Sequence, residues 1–183
     1  MVGLESVQRS TTQTHLVLAT ATPAFADPVR VVLGLISCAF GGGMSSRLFQ
    51  RVREELALAY AVFSFQAFYS KAGTSGVYVG TKPETADRTL ETILSEYRHL
   101  YESALSQAEL DQAKSQASGQ LVLSMESTAA RLLRVIGFAL RAEPYRELDD
   151  SLARIEAVTM DQVNTACRRY FNPDDQYVLS LGP

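Results

Sequence analysis

The sequence predicts an α+β fold, a mostly antiparallel sheet with helices packed on one face. Three observations point there. Alternation of period two is confined to a few stretches, the helical patterns between them come in groups and not one per strand, and a last apolar stretch, QYVLSLG, returns the chain to the sheet after the final helix.

The elements follow in order. THLVLAT at 14–20 is short and rich in β-branched residues and stops before Pro23, so it reads as a strand. His15 alternates there with Val17 and Ala19 in what looks like an edge strand; no base, nucleophile or acid lies near it in sequence, and it is taken as structural. In DPVRVVLGLISCAF, Asp27 is a good N-cap, Pro28 suits the first turn, and Val31, Val32, Leu35 and Ile36 repeat at helical spacing. The segment is apolar almost all round and predicts a buried helix, ended by Gly41, Gly42 and Gly43.

Ser45 or Ser46 can cap a second helix whose stripe is Leu48, Val52 and Leu56, with Arg47, Arg51 and Arg53 off it. From Ala59 the period becomes two. One face collects Ala61, Phe63, Phe65, Ala67 and Tyr69 and is expected to be core; the other collects Tyr60, Val62, Ser64, Gln66, Phe68 and Ser70 and is expected to be wetter. Gly73 turns the chain into TSGVYVGTK, the second strand of a hairpin.

Pro83 opens a helix with Ala86, Leu90, Ile93, Leu94, Tyr97, Leu100 and Tyr101 on one stripe and His99 on the polar side. Ser106 with Glu109 forms a capping box for the next helix, and AARLLRVIGFAL follows Ser127 and Thr128. Pro144 breaks the pattern. Leu148, Leu152 and Ile155 predict a short helix, and Thr159 with Gln162 gives a second capping box before VNTACRRYF, which Asn172 and Pro173 end.

At 183 residues the chain has the length of one domain, 1–183, with a real core. Apolar residues make up 46% and charged residues 20%, with 17 basic against 20 acidic side chains. That balance, with dispersed basic residues, argues against a nucleic-acid partner. No apolar run approaches a membrane span, so no membrane partner is expected. The N-terminus lacks a signal-peptide profile, so a cytoplasmic location is favoured, with periplasmic or organellar locations open if the chain is a fragment. Cys38 and Cys167 lie far apart in helical patterns and read as small buried hydrophobes; with only His15 and His99 besides, no metal site is expected on this chain.

The glycine run before Met44 invites a phosphate-loop reading, but it follows a helix and lacks G-x-x-x-x-G-K-[ST]; no G-x-S-x-G makes a serine nucleophile. Arg53 and Tyr60 are a better pair. A fixed guanidinium and a phenolic hydroxyl suit a carbonyl that gains negative charge during attack. By pattern alone the ordinary reading, a solvated helix arginine and an unremarkable strand tyrosine, outweighs the catalytic one.

GGGMSSRLFQRVREELALAY resembles the signature of the C-terminal half of the pitrilysin/insulinase family of zinc metallopeptidases, in the branch of the mitochondrial processing peptidase. QTHLVL, the hairpin after Tyr60, SQAELDQAKSQASGQLVLSMES, VTMDQVNTACRRYF and the terminal LGP extend the likeness through nearly the whole chain. The resemblance implies one half of a clamshell that closes around a peptide, this chain being the C-terminal, non-zinc-binding half. The other half carries H-x-x-E-H, and zinc is expected on that partner half alone, with no cofactor on this chain.

The family places an arginine and a tyrosine seven residues apart in the C-terminal half, which Arg53 and Tyr60 match. The resemblance therefore implies that these two stabilise the substrate carbonyl, with Ser64 and Gln66 as neighbours lining the substrate. The implied function is the substrate-binding, active-site-completing half of a zinc-dependent metalloendopeptidase, inactive by itself. Alternatives are a scaffold subunit of the respiratory-complex core-protein type and a stand-alone peptide-binding module. Implied partners are a peptide substrate and an H-x-x-E-H half in the same polypeptide or a separate subunit, with a homodimer also open. Where relatives commonly read R-G-L-A-Y, Ala57 replaces the glycine, and a positive φ there would be costly.

Overall fold

The computed structural model describes residues 3–183. Strands β1 (Gly3–Gln8), β2 (Thr14–Thr22), β3 (Ala59–Phe68), β4 (Gly73–Thr81) and β5 (Tyr177–Gly182) form one sheet in the order β1-β5-β2-β4-β3. The β1–β5 pair is parallel and the other three neighbouring pairs are antiparallel, so the sheet is mostly antiparallel, as expected. Helices α1 (Val29–Gly41), α2 (Ala86–Ser103), α3 (Gln107–Ser124), α4 (Thr128–Leu140), α5 (Leu148–Glu156) and α6 (Met160–Tyr170) complete the α+β architecture. None of the described helices is long and apolar enough to cross a membrane.

The core lies between one sheet face and the helices. Leu16 and Leu18 of β2, Val77 and Val79 of β4, Val62 of β3 and Val178 of β5 meet Leu33, Leu35, Ile36 and Phe40 of α1, all buried. Each such side chain contributes roughly 1.5–3 kcal/mol by leaving water. Behind α1 the Phe40 ring packs edge-on against Tyr97 of α2 and Phe171, with centroids 5.1 and 6.1 Å away. This joins α1, α2 and the end of α6 in one cluster.

Helix starts follow the local signals. Ser106 accepts the Glu109 N–H while the Glu109 carboxylate accepts the Ser106 N–H, and Thr159 with Gln162 repeats the arrangement at α6. Asp27 Oδ1 accepts the Val29 N–H at 2.9 Å, and Ser127 Oγ accepts from Ala130.

Three expectations are corrected. β1 carries no strong strand pattern; it is fixed by pairing with β5 at the far end of the chain. β2 is the middle strand and not an edge, and His15 Nδ1 sits 2.8 Å from the Tyr78 hydroxyl on the uncovered sheet face. The two faces of β3 are the reverse of those expected: Val62 is 7% exposed and Phe63 is 46% exposed. Alternation shows that two faces exist but not which one the helices cover. Phe63 recovers contact area by packing on Tyr78 of the neighbouring strand, 4.9 Å between centroids, without helix cover.

The polar residues of β3 hold it to α1. Ser64 Oγ donates to the Ser37 carbonyl at 2.7 Å and accepts from Ser37 Oγ at 2.8 Å, and Gln66 Nε2 donates to the Leu33 carbonyl at 2.6 Å. Gly41, at the end of α1, approaches so closely that a Cβ there would lie 2.6 Å from the Ser64 backbone nitrogen. Gly41→Ala should therefore cost roughly 1–3 kcal/mol by forcing helix and strand apart. Gly119→Ala on α3, where a Cβ would meet nothing within 4 Å, should stabilise by up to about 1 kcal/mol. Urea unfolding midpoints of the two variants would separate in opposite directions from the parent.

Candidate functional site

The segment between α1 and β3 is shaped by three local devices. The glycine turn is tied down by side chains: Ser46 Oγ donates to the Gly43 carbonyl at 2.6 Å, Gln50 Nε2 to Met44 at 2.6 Å and Gln116 Nε2 to Gly42 at 3.2 Å. The helix that follows is not the regular one expected. It opens into a π-helical stretch, Phe49–Glu55, with the Leu56 N–H reaching the Arg51 carbonyl five residues back at 3.2 Å. The wider turn keeps Leu48 and Val52 fully buried while Arg51 and Arg53 stay outside.

The third device is Ala57, whose φ of 50° is left-handed. It turns the chain so that the Leu58 N–H bonds the Val52 carbonyl at 2.9 Å and the Leu58 carbonyl accepts from buried Thr81. Thr81 in turn touches the Thr85 and Thr89 hydroxyls at 2.9 and 3.1 Å, so the entry to β3 is fixed to β4 and α2. Glycine adopts such a φ without strain, whereas alanine there carries strain.

Tyr60 then occupies a β-bulge: Ala59 pairs with Thr81 and Ala61 with Gly80, leaving Tyr60 extra on the edge strand. It is 52% exposed. The Arg53 side chain is 47% exposed, lies 4.0 Å from Glu54, and has its guanidinium 4.9 Å from the centroid of the Phe49 ring. Both residues therefore present polar groups to solvent from a short, well-anchored stretch. Ser64 and Gln66 differ: on the far side of the bulge their polar atoms are engaged with α1, as described above.

Sequence reasoning missed Arg47, which it grouped with Arg51 and Arg53 off the apolar stripe. Its guanidinium makes a bidentate pair with Glu109, Nε to Oε1 and Nη2 to Oε2 at 2.7 Å, and Nη2 also donates to the Ala104 carbonyl at 2.8 Å. The arginine hydrogen bonds, together with those from Ser106 and against the cost of burial, hold the Glu109 carboxyl down at about 2 from an ordinary 4.5. The Arg47 guanidinium is raised above its usual value, chiefly by its hydrogen bond to Glu109. The capping box was a signal for Glu109, but nothing local connects positions 47 and 109.

Among the described residues no three His, Cys, Asp or Glu side chains gather in a way that could hold a metal ion. Cys167 is buried, with its thiol pushed up to about 12 by burial, and Cys38 is half-buried; both are free. The donor set of the described residues does not fit a zinc site.

The site sits on a five-stranded α+β domain, with exposed donors and no metal cluster among its described residues. The chain belongs to the peptidase M16 family, matching the model of the peptidase M16 inactive domain over residues 3–117. It is 38% identical over 165 residues to an uncharacterized zinc protease of Streptomyces coelicolor, a match that takes in 90% of this chain and 36% of that protein. The chain thus spans well under half the length of such curated relatives. The crystal structure of a peptidase M16 inactive domain from Pseudomonas fluorescens superposes with a TM-score of 0.90 and 26% identity, covering all of this chain and 44% of that one. A chain of complex III2 from Candida albicans shares the fold at a TM-score of 0.86 and 16% identity, over all of this chain and 46% of that one.

Two outcomes follow from the segment's anchors. Ala57→Gly should raise stability by about 1 kcal/mol through relief of the left-handed alanine, seen as a higher thermal midpoint. The Glu109 contribution, with a depressed folded pKa, is complete above about 4.5 and is lost as pH falls toward about 2. Arg47→Ala should cost about 1–2 kcal/mol at neutral pH and flatten the fall in stability across that acid window, checked by denaturant titrations at a series of pH values.

Proposed function

We propose that this chain is the C-terminal, non-zinc-binding half of a metalloendopeptidase of the mitochondrial processing peptidase-like branch, a single domain over 1–183 that completes the peptidase site of its partner half. The partner half carries H-x-x-E-H and supplies the zinc, either in the same polypeptide or as a separate subunit. The observation that carries the reading is the exposure of Arg53 and Tyr60 from one stretch held by the glycine turn, the π-helical turn and the bulge.

Peptide-bond hydrolysis turns the scissile carbonyl oxygen into an alkoxide in the tetrahedral intermediate. The Tyr60 hydroxyl donates a hydrogen bond to that carbonyl or its neighbour, and the Arg53 guanidinium sets a fixed positive charge beside it. Donors already in place as charge develops lower the barrier without reorganising. β3 is an edge strand, and an extended peptide adds to it through main-chain hydrogen bonds. Ser64 and Gln66 act here by holding β3 in position against α1.

A second reading, a scaffold subunit without peptidase function, is favoured by one observation: Ala57 sits at the left-handed position where glycine would be unstrained. The fold likeness to a complex III2 chain is compatible with it.

Hydrolysis of a quenched fluorescent peptide by this chain combined with its H-x-x-E-H half tests the two readings. The peptidase reading expects a zinc-dependent rate that needs both halves and falls roughly tenfold or more with Arg53→Ala and with Tyr60→Phe. A folded, associated pair that cleaves equally well with both substitutions, or cleaves nothing, removes the catalytic role and leaves the scaffold.

A further inference from the structure

On the helix layer, clear of the 41–66 segment, α1, α3, α4 and α5 surround an open cleft with a cavity of about 270 Å³. Four arginines line it: Arg30 from α1, Arg134 from α4, Arg146 from the following loop and Arg154 from α5. Arg141 stands close by. The chain as a whole carries a net charge of −3, so this concentration of positive charge runs against its composition.

Compensation is slight. Arg146 has an ion-pair partner, Glu143 at 3.0 Å; for the other four arginines there is none among the described residues. Two aromatic rings hold the guanidinium groups by their faces. Arg30 and Arg141 lie 4.1 and 4.2 Å from the Phe25 centroid, and Arg134 and Arg146 each lie 5.4 Å from that of Phe138. Contact with a ring uses the face of a guanidinium and leaves its N–H edge available.

Arg134 is held in place at the cleft wall and is left uncompensated at one buried atom. Its Nη2 donates to Ser151 Oγ at 2.7 Å and to the Arg146 carbonyl at 3.0 Å, yet its Nε is buried with no hydrogen-bond partner among the described residues. An orphaned donor on a charged group is costly, and nothing acidic among the described residues compensates this one. Arg30 bears the same imbalance: burial first, then the like charges of Arg146, Arg154 and Arg141, lower its pKa, while Glu143 alone opposes them.

We propose that this cleft is a binding site for an oxyanion group, phosphate or carboxylate, carried by a small ligand. Guanidinium forks match the planar spread of oxygens on either group and bind it bidentately. Gln120 on the wall adds a neutral amide, while Leu35 and Ile155 give an apolar lining for a body beside the anionic head. The site goes beyond the peptidase reading, since none of its residues takes part in that chemistry.

Isothermal titration of the purified protein with inorganic phosphate, pyrophosphate and N-acetylglutamate, at matched ionic strength, tests the site. Saturable binding is expected for at least one probe, weakening as salt is raised. Preference for the phosphates or for N-acetylglutamate identifies which group the site takes. Arg154→Gln and Arg30→Gln should each weaken binding roughly tenfold or more, and Arg154→Lys less than Arg154→Gln. Arg134 is left intact because its bonds to Ser151 and the 146 carbonyl support the fold. Absence of saturable binding to every probe, or binding undiminished in variants whose circular dichroism and thermal midpoint match the parent, would overturn the proposal. Neither result bears on hydrolysis of the fluorescent peptide, so the two readings fail separately.

Discussion

The attachment of the edge strand β3 to helix α1 is the constraint on which the rest of the molecule's exposed chemistry depends. A sheet covered on one side leaves its outer strand with a partner along one edge only, here β4. The second hold comes from α1, through the Ser64–Ser37 and Gln66–Leu33 hydrogen bonds and the close approach at Gly41. Each such bond adds only about 1 kcal/mol net. Their larger effect is on register, because a slip by one residue would press Phe63 and Phe65 against the helix and strand the polar groups on the wrong side. The bulge at Tyr60 and the strained turn at Ala57 can persist because what lies on either side of them is fixed.

Arginine has three distinct fates in this chain. Arg47 is consumed by structure, locked in a bidentate pair that joins the start of the π-helical region to the first turn of α3. Arg53, six residues on, rests loosely on an aromatic ring and faces solvent. Arg30, Arg134, Arg146 and Arg154 converge from separate elements on one cleft. In sequence the three kinds are indistinguishable, since what separates them is the presence of a carboxylate, a ring or another arginine brought from a distant part of the chain.

What was legible in the sequence was what is decided within a few residues. The capping boxes at Ser106 and Thr159, the cap at Asp27 and the stop at Pro144 all read correctly because each involves groups no more than four positions apart. The fold class was legible for the same reason, from the grouping of those elements. The covered face of β3, the central place of β2 and the existence of β1 were not, because each depends on which distant segment arrives beside it. At the candidate site the spacing of Arg53 and Tyr60 and the oddity of Ala57 were visible, whereas the widening of the helix and the bulge came from the packing of Leu48 and Val52 and from the ladder to β4.

The parallel pairing of β1 with β5 carries a consequence for synthesis. Gly3 lies beside Tyr177, about 170 residues later in the chain, so this ladder closes all the chain between them into a loop. Contacts that span such a distance form late, after the entropy of the intervening chain has been reduced by other structure. On the ribosome β2, β4 and β3 can pair early, while β2 keeps an open side and β1 has no strand to join until β5 emerges. The nascent domain therefore passes through a three-stranded stage whose exposed edge is the one later sealed by β5, and it is at that stage that a chaperone would find it.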